Sequence, residues 1–240
     1  MRTEIIYEDN DLLVVYKPAG LATQTAKLGQ ADVVSELKCY LAKPGIKNVY
    51  LGIIHRLDQP VEGLLVFAKN QKAAAQLTAQ LQKQGQGGNL NKQYYAVVCG
   101  KTTQDQGRLV DYMYKNRENM AVIVNKPEGE AKQAILEYRM VSQMQPDEAQ
   151  GRTLHLADIH ILTGRFHQIR AQMAHAGMPL LGDAKYAPGD VAELAKSLGV
   201  QTVALCAYRL DLVHPVTKKE MHFEVKPRGK SFAYFSQSFS

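Results

Sequence analysis

Apolar and polar residues alternate along much of this chain, and the alternation predicts strands. Residues 5–8 and 12–17 flank Asp9-Asn10-Asp11, a turn-forming cluster, and together predict a β-hairpin. Further β-like runs cover 63–69, 94–99, 121–125, 135–142, 154–162, 204–213 and 221–226; in the last, Met221, Phe223 and Val225 alternate with His222, Glu224 and Lys226. Helical spacing is rarer. It is found over 32–42, 71–82, 165–176 and 190–198, with Gly177 and Gly199 placed to end the last two and Asp190 and Glu193 at capping-box spacing. Many strands with scattered helices predict an α+β fold on a largely antiparallel sheet. The loop-like stretches 82–91 and 145–151 are too short for interdomain linkers and no repeat is visible, so one domain over 1–240 is expected.

Composition narrows the class. With 45% hydrophobic and 22% charged residues, the chain has enough apolar content to fold and is not a disordered tail. The N-terminus, MRTEIIYEDND, has no apolar leader core, and runs such as 12–15 and 64–68 are far too short to span a bilayer. Cys39, Cys99 and Cys206 are an odd, widely spaced set in apolar surroundings, which fits buried reduced thiols. A cytoplasmic, monomeric protein without membrane association is the expectation. The net charge of +6 favours a polyanionic partner, although no Lys/Arg tract marks one. The histidines at 155, 160, 167 and 175 match no HExxH pattern, and QGQGG lacks the Walker spacing, so neither a metal nor a phosphate loop is expected.

Three segments carry candidate chemistry. At 100° per residue, Phe166, Ile169, Met173 and Ala176 form an apolar stripe on the predicted helix, with His167 on the same side and Arg170 at its edge; Arg165, Gln168, Gln172 and His175 point elsewhere. A guanidinium there needs an anion or a route to water: either its stem snorkels, or it is held against a carboxylate or phosphate. Second, Ile53-Ile54 delivers His55, Arg56 and Asp58 together on a short segment broken by Pro60 and Gly63. This is either a functional presentation or a solvated turn with an internal Arg56–Asp58 pair. Third, Lys92-Gln93-Tyr94-Tyr95 enters a strand on which only one of the two tyrosines can face a given site.

These segments resemble a known family. Ile54-His55-Arg56-Leu57-Asp58, followed by Gly63-Leu64-Leu65-Val66-Phe67-Ala68-Lys69, is similar to the HRLD signature of RNA pseudouridine synthases, in particular the A, C and D types named for large ribosomal RNA. Leu162-Thr163-Gly164-Arg165-Phe166-His167-Gln168-Ile169-Arg170 resembles that family's second signature. Asp11–Gly20, Lys92-Gln93-Tyr94 and Pro179–Tyr186 are similar as well, in the same order and spacing. The resemblance implies a bent, mostly antiparallel sheet with flanking helices and an active-site cleft across it. It also implies isomerisation of uridine in RNA to pseudouridine without metal or organic cofactor: the N1–C1′ bond breaks, the uracil turns, and C5 bonds to C1′. Residue by residue, Asp58 matches the essential aspartate, acting as nucleophile or base. Tyr94 matches the active-site tyrosine, Arg170 the arginine that pairs with the aspartate, and Arg56 the side chain that replaces the flipped nucleotide in the stack. His55 and His167 match motif positions that support the substrate site.

The chain departs from the pattern after HRLD, where Val61 and Glu62 stand in place of the usual Thr-Ser. It also starts directly at the catalytic region, so no N-terminal S4-type domain is expected. The target, ribosomal or transfer RNA, leaves no motif. Two other classes compete with this reading: a catalytically silent RNA-binding protein of the same fold, and a nucleoside or glycan hydrolase pairing Asp58 with Glu62.

Overall fold

The computed structural model describes residues 1–25, 29–42, 44, 48–85, 88–100, 104–149 and 151–239, and these fall into two compact units. The first comprises Met1–Asn91 and Ala207–Val225, the second Lys92–Cys206 and Lys226–Ser240.

The first unit contains β1 (Glu4–Glu8), β2 (Leu12–Lys17), α1 (Val33–Leu41), β3 (Gly52–Ile53), β4 (Glu62–Ala68), α2 (Gln71–Gln82), most of β10 (Leu205–Val213) and β11 (Glu220–Glu224). Its strand order is β1-β2-β4-β10, with β3 on β4 and β11 on β10. The hairpin predicted around Asp9 is present as β1 and β2. Asp9 Oδ1 accepts the Asp11 and Leu12 N–H groups at 2.8 and 2.7 Å, which closes the turn. Strands β2 and β4 are buried at every position, so they read as continuous apolar runs and not as alternating ones. Leu12, Val14, Leu64 and Val66 pack with Leu77 of α2 and Leu210 and Leu212 of β10; each fully buried leucine is worth about 1.5–3 kcal/mol of transfer free energy.

Gly63 lets β4 run this close to its neighbour. It sits at φ 120°, and a Cβ there would lie 2.4 Å from the Ala207 carbonyl oxygen and 2.5 Å from its nitrogen. Gly63→Ala is therefore expected to destabilise the protein by roughly 3 kcal/mol or more, since backbone strain and overpacking act together. A urea midpoint unchanged from wild type would refute this.

The second unit contains β5 (Asn91–Cys99), β6 (Gln106–Lys115), β7 (Ala121–Val124), β8 (Lys132–Met144), β9 (Leu154–Ile161), α3 (Gln168–His175) and α4 (Gly189–Ser197), plus short 3-10 segments at Asp147–Ala149 and Lys230–Phe239. Its strand order is β5-β9-β8-β6-β7, and these pairings are antiparallel. The fold class is the expected α+β. Strands β3 and β6 are additions to the predicted set.

Several expectations need correction. The helix expected over 165–176 starts only at Gln168, because His167 takes a left-handed conformation at φ 51°. Gly177, at φ 76°, ends it as expected. Gln168 and Gln172, expected to point away from the apolar stripe, are buried all the same. The Gln168 amide accepts the Thr163 hydroxyl and the Arg165 N–H and donates to the Ile135 carbonyl, while Gln172 donates to Asp111 and to the Ala134 carbonyl. Helix α4 starts after Pro188 without a side-chain cap, so the Asp190–Glu193 spacing is not a capping box. Cys39 is exposed, whereas Cys99 and Cys206 are buried. Among the described residues no helix is long and apolar enough to cross a membrane.

Candidate active site

In the first unit the HRLD segment runs between β3 and β4 without regular structure and is held by its main chain. Leu57 is clamped at both polar atoms: its N–H donates to Thr23 Oγ1 at 3.2 Å, and its carbonyl accepts from the same hydroxyl at 2.9 Å. The Gln59 carbonyl accepts from the Gly20 N–H at 2.8 Å and from Lys17 Nζ at 3.1 Å. The Val61 N–H donates to the Asp58 carbonyl at 3.1 Å, closing a turn around Gln59-Pro60. The irregular backbone thereby finds its hydrogen-bond partners in side chains and a neighbouring loop. Alternate residues then diverge: Leu57 is buried, Arg56 is exposed and Asp58 is half-buried. His55 is buried, and its Nε2 accepts the Val66 N–H of β4 at 3.3 Å, which ties the segment to the sheet.

Lys17, at the end of β2, supports this arrangement. Its ammonium also donates to the Pro18 and Leu21 carbonyls at 3.1 and 2.6 Å. Burial pushes its pKa down to about 7, against the upward pull of the Asp58 and Glu62 carboxylates. Glu62 itself is buried and accepts a short hydrogen bond from the Tyr16 hydroxyl. Its burial and its bond to Tyr16 set it within the protein interior, which does not favour the hydrolase pairing of Asp58 with Glu62.

In the second unit Tyr94 is buried on β5, and Tyr95 turns to the opposite face, where its ring lies 5.1 Å from that of Phe239. Arg170 does not snorkel. It is 4% exposed, and its Nε and Nη2 donate side-on to the two carboxylate oxygens of Asp183, each at 2.7 Å. Asp183 Oδ1 additionally accepts the Lys185 and Tyr186 N–H groups. This pair engages two of the five guanidinium donors and fixes the plane of the fork. The Tyr186 ring lies 5.2 Å from the Arg170 guanidinium carbon, and its hydroxyl accepts the Ala121 N–H and meets His167 Nδ1, both at 2.7 Å. Phe166 stacks on the His167 ring at 3.7 Å.

His55, Arg56 and Asp58 thus fall in one unit with Lys17, Thr23 and Glu62; in the other, His167 and Arg170 meet Tyr186 and Asp183, and Tyr94 lies on β5 of the same unit. Lys17 and Asp183 lie within the segments 11–20 and 179–186 that resemble the family, but the sequence pattern gives neither a role, and nothing in it singles out Thr23. The unmet need of Arg170 for an anion is visible there; which of the acids supplies it is not.

Two other features lie apart. A groove of about 500 Å³, whose lining includes Gln93, Arg108, Glu137, Arg139, Asp158 and His160, lies on the face of β5 opposite Tyr94. Its two arginines face two acids, Arg108 with Glu137 and Arg139 with Asp158. Asp9, Asp11 and His214 come within 4.8 Å of one another, in cation-binding reach. However, His214 Nδ1 accepts the Val216 and Thr217 N–H groups, so Nε2 carries the proton and gives it to Asp9 at 2.9 Å. The cluster's hydrogen bonds are satisfied internally.

An irregular, main-chain-clamped segment that presents a half-buried carboxylate beside an exposed arginine is suited to chemistry on a base drawn out of its stack. Residues 11–175 match the family model for RNA pseudouridylate synthase, and the chain belongs to that family. It is similar to the ribosomal large subunit pseudouridine synthase D of Zymomonas mobilis, with 35% identity over 233 residues, 93% of this chain and 68% of the relative. The enzyme of the same name from Pseudomonas aeruginosa is also 35% identical, over 92% of this chain and 67% of the relative. The chain spans about two thirds of the length of these relatives. Among solved structures, Human RNA Pseudouridylate Synthase Domain Containing 1 shares the fold, with a TM-score of 0.73 and 20% identity over 94% of this chain and 83% of that one. The protein is an RNA pseudouridine synthase, an isomerase acting on uridine in RNA.

Proposed function

We propose that the chain modifies uridines of ribosomal RNA in the cytoplasm, acting as a monomer and without metal or organic cofactor, with Asp58 as the essential carboxylate. Support for the target comes from the relatives at 35% identity, which are ribosomal large subunit enzymes by name. Support for Asp58 is its presentation: the backbone on either side is fixed by Thr23, Lys17 and Gly20, while the residue itself is only partly buried. In this reading Arg56 fills the stack when the target nucleotide leaves it. Tyr94 and Arg170 complete the catalytic set, and His55 and His167 brace the two signature segments.

During the isomerisation C5 gives up its hydrogen to solvent and N1 gains one, so RNA carrying 5-tritiated uridine releases tritium once per turnover. Pseudouridine mapping across all RNAs, in cells with and without the gene, is expected to show the loss of one or a few ribosomal positions. Loss confined to transfer RNA would overturn the ribosomal assignment and leave the activity standing.

A further inference from the structure

Lys92 opens the second unit at the start of β5 and shares a strand face with Tyr94, two residues on. It is only 6% exposed. Among the described residues its ammonium has no hydrogen-bond or ion-pair partner, a costly state for a buried charge. Burial alone lowers its pKa to about 8, with no carboxylate pulling the other way. The neighbourhood contains one opening. Gly164, in the turn between β9 and α3, is exposed, and a Cβ built on it would have only Lys92 Nζ within 4 Å, at 3.9 Å. The missing side chain therefore leaves a path from the surface to the ammonium.

We infer that Lys92 is a phosphate-binding residue, whose ammonium takes a phosphodiester oxygen of the bound RNA strand at the gap left by Gly164. An ammonium at the end of a largely buried side chain, with no partner among the described residues, gains most from a ligand that is anionic before any bond is broken. A phosphodiester meets that condition, whereas a neutral base does not. The cation is costly to the empty protein and is neutralised when RNA arrives. This rests on the RNA-modifying activity described above and adds a contact on the strand outside the signature residues Asp58, Tyr94 and Arg170.

The test is the salt dependence of binding to a fluorescent single-stranded oligouridylate, beside the melting temperature of each protein. Lys92→Met is expected to melt a few degrees higher, because an unpaired buried charge becomes a packed apolar side chain. It should bind the oligonucleotide about tenfold more weakly, with the log–log salt slope reduced by roughly 0.7, the value of one single-strand phosphate contact. Lys92→Arg should retain the slope. Gly164→Asp leaves Lys92 in place and supplies an internal anion within reach of it. Position 164 has open space and no left-handed φ, so this variant is expected to fold, to melt higher, and to lose the same contact. If Lys92→Met and Gly164→Asp both bind with wild-type affinity and slope, the inference is wrong and Lys92 is a structural residue. Tritium release from ribosomal RNA by the wild-type enzyme, measured in parallel, judges the catalytic reading separately: its failure would leave the binding result intact.

Discussion

Asp58→Asn is expected to cut tritium release from 5-tritiated uridine RNA by roughly a thousandfold or more, the scale of losing a group that acts on the reacting atoms. The variant should still fold. Its neighbours are held through main-chain atoms, the Leu57 N–H and carbonyl by Thr23 and the Gln59 carbonyl by Gly20 and Lys17, and none of these bonds uses the Asp58 side chain. RNA affinity should be unchanged or slightly tighter, since one negative charge near the phosphates is gone. A variant that retains a tenth of wild-type turnover would remove Asp58 from the chemistry. Equal loss of binding and turnover would recast it as a structural residue.

The second large effect is on stability. Breaking the Arg170–Asp183 pair strands a charge in the interior, since the two side chains are 5% and 1% exposed. Arg170→Met takes the guanidinium away from the Asp183 carboxylate, which keeps the Lys185 and Tyr186 N–H groups; Asp183→Asn takes from the guanidinium the carboxylate that it grips at both oxygens. Each single change is expected to cost about 3–5 kcal/mol in urea unfolding. The double variant Arg170→Met/Asp183→Leu should lose less than the sum, because the two single changes remove one shared interaction. Strict additivity of the two losses would show that the ion pair is not the interaction being measured.

How much of this is readable in the sequence depends on what each residue packs against. Strand β2 and helix α2 fall at the residues predicted, because their apolar patterns are dense and a turn or an Asn cap bounds them. Strand β6 escapes the pattern: most of its residues stay at least partly exposed, so QGRLVDYMYK offers no clean apolar face. The start of α3 is misplaced for a different reason. Phe166 fits the helical stripe by spacing, yet it sits in the preceding turn, stacked on a left-handed His167. Gln168 and Gln172 fall away from the apolar stripe by spacing, yet each is buried, the first with its amide bonded to Thr163 and the Ile135 carbonyl, the second to Asp111 and the Ala134 carbonyl.

The signature residues are legible because their order along the chain is distinctive. Their supports are not. Thr23 reaches Leu57 across 34 residues and Lys17 reaches Gln59 across 42, and no local periodicity encodes such contacts. Asp183 is closer, 13 residues beyond Arg170, but past the end of the helix whose geometry could be projected.

The contrast among the three cysteines has a practical use. Cys39 lies exposed on α1, whereas Cys99 and Cys206 are buried, and burial pushes the Cys99 thiol up to about 12. A maleimide dye added to the native protein near neutral pH should therefore attach at one place, giving a fluorescent reporter for following RNA engagement without any cysteine having to be engineered in or out.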